Sequence, residues 1–291
     1  MTDPGVGRLE ALAASDPAVA PMARLLELAF RAAGEAGWAA AIPPLDAGRL
    51  ADGMPLLHGA ELAVDAARLQ RHFEAVAAAA GAPSIGRLDA LGPVAASISQ
   101  DASALAELAG AAGLEPDLLG TIAHAAALPL LLAAGRAGEA ALRDDRGWEA
   151  GCCPVCAAWP TLAELRGLAR ERWLRCGRCG GGWRYRPSRC PYCAAGDHRQ
   201  LGYLAPAADR ESRRASTCDG CGGYLKTVSV LGASTPAELA LLDLETLELD
   251  LAALDRGYAR PATPAFRLVV AVAPVGPSGL GGRLRRLAGR A

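Results

Sequence analysis

Eight cysteines of the 291-residue chain form four pairs with the spacing Cys-x-x-Cys. The pairs are Cys153 and Cys156, Cys176 and Cys179, Cys190 and Cys193, and Cys218 and Cys221. Two thiolates three positions apart on a tight turn can bind the same ion, and two such turns complete a tetrahedral site with four sulfur ligands. The pattern therefore predicts two bound metal ions with these eight cysteines as ligands.

The order of the pairs favours one arrangement of the two sites. Between the first and second pairs lie 19 residues, and between the third and fourth lie 24, lengths that suit metal-binding ribbons. We therefore expect the first pair to combine with the second and the third with the fourth. An interleaved arrangement, first with third and second with fourth, also satisfies the count. The ligand set fits iron and zinc alike, because both ions accept four thiolates in a tetrahedron.

The remaining cysteine and the histidines carry weaker signals. Cys152, next to the first pair, is either a small buried residue or a free thiol for redox chemistry or metal delivery. The histidines are scattered, and no two have ligand spacing on a helix: His58, His72, His124 and His198. The sequence contains no nucleophile elbow, phosphate-binding glycine loop or dinucleotide fingerprint. These observations favour a protein that is not an enzyme and that has metal ions as its cofactors.

Charge is distributed unevenly along the chain. The net charge is -1, but residues 1–150 carry -9, residues 151–226 carry +7 and residues 227–291 carry +1. A total near zero gives no general attraction to nucleic acid or to an anionic membrane. The N-terminus carries Asp3 and has no basic and then apolar run, so we expect no secretory signal and a cytoplasmic location. In that reducing compartment, crowded cysteines indicate metal binding rather than disulfides.

The first half of the chain has a helical pattern without strand alternation. Asp16-Pro17 can begin one helix, residues 61–80 repeat apolar positions at three- and four-residue spacing, and Asp101 can cap a short helix. A further helix is predicted over residues 116–142. It contains the longest apolar run, residues 118–134, which at 17 residues is too short to span a bilayer. We therefore expect a buried helix and no membrane insertion.

The cysteine segment predicts short strands instead. Glycines, prolines and the paired cysteines separate β-prone pieces such as residues 172–175, 183–186 and 225–230. Thr235 and Glu238 then form a capping box at the start of an amphipathic helix. Four acids of this helix lie off its apolar stripe and are expected to face solvent: Asp243, Glu245, Glu248 and Asp250.

The predicted fold class is therefore α+β, with five segments along the chain. We expect an all-α domain over residues 1–146, followed by two tandem rubredoxin- or zinc-ribbon-like modules over residues 147–186 and 187–232. An amphipathic helix over residues 233–260 and a flexible tail over residues 261–291 complete the chain. The ribbon segment has few apolar residues for its length, so metal binding would supply roughly 10 kcal/mol or more of folding free energy per site.

The cysteine pairs belong to longer motifs, and further motifs follow them. These are Cys153-Pro154-Val155-Cys156 with Pro160, residues 174–179 with Trp183, residues 189–193, residues 218–226, residues 243–250, Gly257-Tyr258 and Pro264-Ala265-Phe266. In these motifs and their spacing, residues 147–266 resemble the formate dehydrogenase accessory protein family, FdhE. The chain departs from that pattern at Ala157, where the family usually has glycine, and at Arg184 and Pro187, where it tends to have histidine and arginine.

The resemblance implies a cytoplasmic, non-catalytic and chaperone-like factor needed for the maturation of active formate dehydrogenase. It implies the formate dehydrogenase catalytic subunit as the partner, and rubredoxin-like sites that bind iron. The sequence does not indicate an oligomeric state.

Two other functions fit parts of the sequence. A zinc-ribbon protein that binds nucleic acid would use the +7 segment and the run Trp183-Arg184-Tyr185-Arg186. However, eight thiolates with two divalent ions contribute about -4, which reduces the charge of this segment to about +3 and makes nucleic acid the weaker choice of partner. An electron-transfer protein would use rubredoxin-type iron in the ribbons and would need a redox partner.

Overall fold

The computed structural model of the chain describes residues 3–143, 147–206 and 211–275. Its first part contains α1 (Gly5–Ser15), α2 (Ala20–Ala33), β1 (Ala60–Val64), α3 (Ala66–Ala79), α4 (Leu91–Ser99), α5 (Ala102–Ala112) and α6 (Pro116–Arg143). Its second part contains β2 (Leu162–Arg166), β3 (Glu171–Arg175), β4 (Gly182–Arg184), β5 (Leu201–Leu204), β6 (Arg213–Cys218), β7 (Gly223–Val230), α7 (Pro236–Leu244), α8 (Leu247–Asp255) and β8 (Val270–Pro274). The predicted α+β class, with helices first and the cysteine segment after them, is confirmed.

Helix α6 is the centre of the helical region. It is 28 residues long, contains Pro129, and packs against α2, α3, α4 and α5. By length and composition it could cross a membrane, but 78% of its most apolar stretch is buried inside the protein. Helix α6 is therefore the buried helix that the sequence predicts, and it extends beyond both ends of the apolar run at residues 118–134.

One strand interrupts the helical region. Residues 60–64 form β1, whereas the apolar spacing predicted that a helix begins at residue 61. Leu62 and Val64 are buried and Glu61 is exposed, so the side chains alternate as in a strand. The helix starts only after Asp65, whose side chain accepts a hydrogen bond from the backbone N–H of Arg68 and caps α3.

Two predicted helix starts have different outcomes. Asp101 caps α5 as predicted, and its carboxylate accepts a hydrogen bond from the backbone N–H of Ala104 at 3.0 Å. The prediction for Asp16-Pro17 is wrong, because α2 begins at Ala20. The Asp16 side chain instead accepts from the backbone N–H of Ala18 and closes a turn before the helix.

The predicted flexible tail is wrong for residues 270–274. They form β8, which pairs in parallel with β1 from Ala60–Val270 to Val64–Pro274. The backbone N–H of Gly59 donates to the Val269 carbonyl at 2.7 Å and thereby extends the pairing. This two-stranded sheet attaches the C-terminal part of the chain to the helical region. Residues 276–291, which belong to the predicted tail, lie outside the described residues.

The six strands of the cysteine segment form one continuous sheet. Its strand order is β4-β3-β2-β7-β6-β5, so the first three strands come from residues 147–186 and the other three from residues 187–232. Strands β2 and β7 join the two halves in parallel, with Leu162 opposite Lys226 and Arg166 opposite Val230. The two ribbons therefore share a sheet, and the division of the chain at residue 186 remains a proposal about its folding units.

The predicted C-terminal helix is divided into α7 and α8. Its start agrees with prediction, because Thr235 and Glu238 form both hydrogen bonds of a capping box. The hydroxyl of Thr246 donates to the Leu242 carbonyl at 2.6 Å, which satisfies a terminal carbonyl of α7 and ends that helix. The break replaces the single helix expected over residues 233–260.

The break between α7 and α8 places one acid of each helix in contact with a buried lysine. Lys226 on β7 is fully buried, and its Nζ lies 2.6 Å from carboxylate oxygens of both Asp243 and Asp250. Arg260 and the Tyr224 hydroxyl also bind Asp250, at 2.9 and 2.8 Å. The prediction that all four acids face solvent is therefore wrong for Asp243 and Asp250.

The environment of Asp250 favours its ionised form. Burial opposes ionisation, but hydrogen bonds from Lys226 and Tyr224 and the positive charge of Arg260 outweigh it and lower the pKa of Asp250. Because the folded-state pKa is lowered, the carboxylate stabilises the fold above about pH 4 and loses this contribution as the pH falls further.

We predict that Lys226→Met destabilises the fold by about 3 kcal/mol or more, because two carboxylates then lose a buried cation. Urea unfolding of the metal-loaded protein measures the change. The control Arg8→Ala removes an exposed pair with Glu245, 3.4 Å long, and should cost under about 1 kcal/mol. Equal losses for the two variants would contradict the prediction.

Candidate metal centres

The first candidate centre consists of Cys153, Cys156, Cys176 and Cys179. Their sulfur atoms all lie within 4.8 Å of one another, with 3.4 Å between Cys153 and Cys179 and 3.5 Å between Cys156 and Cys176. Four sulfurs about 2.3 Å from one ion in a tetrahedron lie about 3.8 Å apart, so the set fits a single ion. All four cysteines are buried.

The second candidate centre consists of Cys190, Cys193, Cys218 and Cys221. Its sulfurs also lie within 4.8 Å of one another, with 3.7 Å both from Cys190 to Cys221 and from Cys193 to Cys218. Cys190 and Cys218 are buried, whereas Cys193 and Cys221 are exposed. In both centres the structure brings together the pairs that follow each other in the sequence.

Backbone hydrogen bonds shape each Cys-x-x-Cys turn, which we call a knuckle. In the first knuckle the N–H of Ala157 donates to the Cys153 carbonyl at 2.9 Å, and the N–H of Cys153 donates to the Ala158 carbonyl at 2.8 Å. The second and third knuckles have the same two backbone hydrogen bonds, within residues 176–181 and within residues 190–195. The turns therefore hold both sulfurs of a pair on one side.

The residue after each knuckle has a left-handed backbone. The φ angles are +62° at Ala157, +74° at Gly180, +60° at Ala194 and +67° at Gly222. Glycine adopts this conformation freely, but alanine has a Cβ that makes it unfavourable by roughly 1 kcal/mol. Two of the four knuckles are therefore strained at this position.

The first centre lies inside the main hydrophobic core. Its cysteines pack in one cluster with residues of α6, α4 and the sheet, among them Leu131, Ile98 and Leu174. The side chain of Gln100, which follows α4, donates to the Cys156 carbonyl at 3.1 Å. The guanidinium of Arg178, in the second knuckle, donates to the Ser97 carbonyl. The helical region thus binds the first knuckle through its backbone and the second through the side chain of Arg178.

Two glycines permit close approach to the knuckles, and the spacing of the cysteines gives no sign of them. A Cβ at Gly135 of α6 would lie 1.9 Å from the Cys179 carbonyl oxygen. A Cβ at Gly151 would lie 1.8 Å from the carbonyl oxygen of Pro191, in the third knuckle. Their only sequence signal is the presence of glycine, in one case in the interior of a helix.

The protonation of the sulfurs determines how an ion would bind. Burial raises the pKa of Cys153, and it raises the pKa of Cys190 to about 11. Hydrogen bonds from the three neighbouring sulfurs instead lower the pKa of Cys176. Since thiols must lose their protons to ligate, affinity for a metal should fall as the pH falls.

Cys152 and the histidines lie outside both groups of potential ligands found among the described residues. Cys152 is buried, and burial raises the pKa of its thiol to about 11. Burial, with a contribution from the positive charge of Arg178, lowers the pKa of His124 to about 4, so its ring is neutral at physiological pH.

Comparison with known proteins shows what the cysteine segment is similar to. Residues 188–266 match the family model described as FdhE, C-terminal domain. A protein FdhE homolog from Stutzerimonas stutzeri is 34% identical over 113 residues, which are 38% of this chain and 36% of that protein. A homolog from Pseudomonas aeruginosa is 33% identical over 116 residues, or 37% of each chain.

The likeness extends to the helical region in three dimensions. The crystal structure of the FdhE protein from Pseudomonas aeruginosa superposes with a TM-score of 0.54 and 26% identity, over 90% of this chain and 94% of that one. The chain is therefore similar to an FdhE protein in its fold over most of its length, and to the FdhE C-terminal domain in sequence over residues 188–266. The sequence alignments span little more than a third of the curated FdhE homologs, and the family model matches residues 188–266, which hold the second centre and the helices after it.

The different exposure of the two centres predicts two rates of metal release. With a chelator in excess, the second centre should lose its ion quickly, because Cys193 and Cys221 are exposed, and the buried first centre should lose its ion slowly. Stopped-flow absorbance of the metal–chelator complex measures both phases. A variant with Cys193→Ser and Cys221→Ser should show only the slow phase. A single phase in the unchanged protein would contradict this prediction.

The two strained alanines predict different effects of the same substitution. Ala194 is exposed, so Ala194→Gly should relieve strain and stabilise the fold by about 0.5 kcal/mol or more. Ala157 is fully buried, so Ala157→Gly loses the burial of a methyl group, about 0.8 kcal/mol, and should give no net gain. Urea unfolding of the metal-loaded variants measures both values. A lower free energy of unfolding for Ala194→Gly than for the unchanged protein would contradict the prediction that Ala194 is strained.

Proposed function

We propose that this protein is a cytoplasmic accessory factor needed for formate dehydrogenase activity, and that it contacts the catalytic subunit through a metal-stabilised scaffold without catalysing a reaction. The observation that carries the proposal is the FdhE likeness of residues 188–266, together with the superposition on an FdhE protein over most of the chain. The motifs around the cysteines of both centres support it.

The position of the first centre supports a structural role for its metal. Its four cysteines belong to the core that contains α6, α4 and the sheet. Without an ion, the centre would hold either protonated thiols or uncompensated buried charge, and the latter is strongly unfavourable. An ion there would fix the helical region against the sheet, and either iron or zinc satisfies four thiolates. Elemental analysis of anaerobically purified protein identifies the metal.

The charges on the surface support a protein partner over nucleic acid. The helical region is acidic and the cysteine segment is basic, which gives a client two surfaces of opposite sign. Several arginines of the basic segment pair with local acids, as in Arg184–Glu171 at 3.0 Å and Arg186–Glu149 at 2.7 Å. Such pairs leave less free positive charge for a phosphate backbone.

Electron transfer remains a second candidate because of one observation: the second centre has two exposed cysteines, Cys193 and Cys221. An exposed four-thiolate iron site could exchange electrons with a partner. Reversible bleaching of a visible iron spectrum by a reductant would support this role. Zinc alone in both centres of the anaerobically purified protein would exclude it, because zinc has no redox chemistry.

The accessory role predicts a specific phenotype. Deletion of the gene should lower formate oxidation while the amount of catalytic subunit stays constant. A variant with Cys176→Ser and Cys179→Ser should fail to restore activity, since the first centre loses half of its ligands. Cys152→Ser is the matched control and should restore activity, because Cys152 lies outside both centres. Immunoblotting and a formate oxidation assay provide the measurements.

Two results would reject the accessory role. One is full formate dehydrogenase activity in the deletion strain. The other is turnover of formate by the purified chain alone. Recovery of the catalytic subunit with the tagged protein, and its loss with the double cysteine variant, would support direct contact between the two proteins.

A further inference from the structure

A cavity of about 180 Å³ lies between one face of the six-stranded sheet and the third knuckle. Side chains of β3, β6 and β7 form its floor, and residues 187–192 cover it. Cys190 and Cys218 of the second centre line one end. The opposite face of the sheet carries Lys226 and packs against α7 and α8, so the cavity is separate from that ionic network.

The cavity contains an excess of positive charge. Three arginines line it, Arg172, Arg189 and Arg214, and the described residues around it include no aspartate or glutamate. Four thiolates with a divalent ion in the second centre would carry a charge of about -2, which is less than the charge of the three guanidinium groups. An enclosed site with uncompensated positive charge attracts an anion.

Two of these arginines are positioned around the enclosed space. Arg172 is anchored by its Nη1, which donates to the carbonyl oxygens of Arg186, Pro187 and Arg189, the last at 2.8 Å. Burial lowers the pKa of Arg172, and the nearby positive charge of Arg214 adds to that effect. Both arginines line the same cavity, so their like charges oppose each other, and an anion between them would relieve that repulsion.

Arg214 has an unused hydrogen-bond donor. Its Nε is buried and has no hydrogen-bond partner among the described residues, while its guanidinium lies 5.3 Å from the ring centroid of Tyr203. The hydroxyls of Ser216 and Thr227, 3.0 Å apart, lie in the same lining and can donate or accept. A buried donor without an acceptor is unfavourable by about 1–3 kcal/mol, so an acceptor inside the cavity would stabilise the fold.

We propose that this cavity binds a small oxyanion, held by the guanidinium groups of Arg172 and Arg214 beside the second metal centre. Planar guanidinium groups bind carboxylates and tetrahedral oxyanions through paired N–H donors. The volume of about 180 Å³ admits an anion of a few heavy atoms. The proposal is independent of the accessory role, because it rests only on the lining of the cavity.

Isothermal titration of the metal-loaded protein tests the proposal. Phosphate, sulfate and formate are titrated separately at constant ionic strength, with chloride as the reference anion. We expect saturable binding of one anion per chain for at least one of the three. Saturation by formate alone assigns a carboxylate site, and saturation by phosphate or sulfate assigns a tetrahedral one.

Substitutions identify the residue responsible. Arg214→Met should raise the Kd of the anion at least about tenfold, since it removes a charged hydrogen-bond donor. Arg213→Met is the matched control, because Arg213 pairs with Glu248 on the opposite face of the sheet, and it should leave affinity within about twofold.

The proposal fails if none of the three anions binds saturably to the unchanged protein, a result that does not depend on how the variants fold. It also fails if Arg214→Met, with both metal ions retained, binds the anion as tightly as the unchanged protein does. Absence of anion binding together with loss of the second metal ion in Arg214→Met would assign the arginine as a countercharge for the thiolates instead.

Discussion

Four sulfur atoms are buried where helix α6 meets the sheet, and the packing of both parts depends on how their charge is neutralised. The backbone of α6 lies so close to the second knuckle that only glycine fits at position 135. The side chain of Gln100, which follows α4, donates a hydrogen bond to the Cys156 carbonyl, and the side chain of Arg178 donates one to the Ser97 carbonyl of α4. The helical region therefore forms the wall of the first centre, and loss of the ion should loosen both sides of this junction.

The two centres have the same ligands but different surroundings, and this difference is the main functional clue. The first centre is closed on all sides and belongs to the core. The second centre has two exposed cysteines and an arginine-lined cavity beside it. The closed centre is suited to holding the scaffold together, whereas the open centre is accessible to a client, a small anion or an electron-transfer partner.

The two faces of the sheet anchor different parts of the chain. On one face, Lys226 fixes α7 and α8 through Asp243 and Asp250. On the other face, Arg172 fixes residues 186–189 and thus the approach to the third knuckle. Strands β2 and β7 are neighbours, so the two halves of the sheet that carry the two centres are joined by backbone hydrogen bonds.

The sequence by itself determined the four Cys-x-x-Cys pairs, because two thiolates three positions apart on a turn can bind the same ion wherever the turn lies. The structure decided that the first pair combines with the second and the third with the fourth. The sequence also determined the buried helix α6 and the capping box of Thr235 and Glu238, which are local patterns of apolar spacing and hydrogen bonding. The start of α2 and the strand β1 were predicted wrongly, since local signals near Asp16 and Glu61 compete with pairing and packing.

Only the tertiary structure decided features that depend on residues far apart in the chain. The partner of β1 is β8, about two hundred residues away, and no local pattern at residues 60–64 reveals it. In the sequence, Asp243 and Asp250 lie off the apolar stripe as solvent-facing acids do, but in the structure both bind Lys226, a buried lysine of the sheet. The exposure of Cys193 and Cys221, and the burial of the first four cysteines, follow from which helices cover each centre. Spacing determines the cysteine pairs, but packing determines how the pairs combine and the charge, access and strain around them.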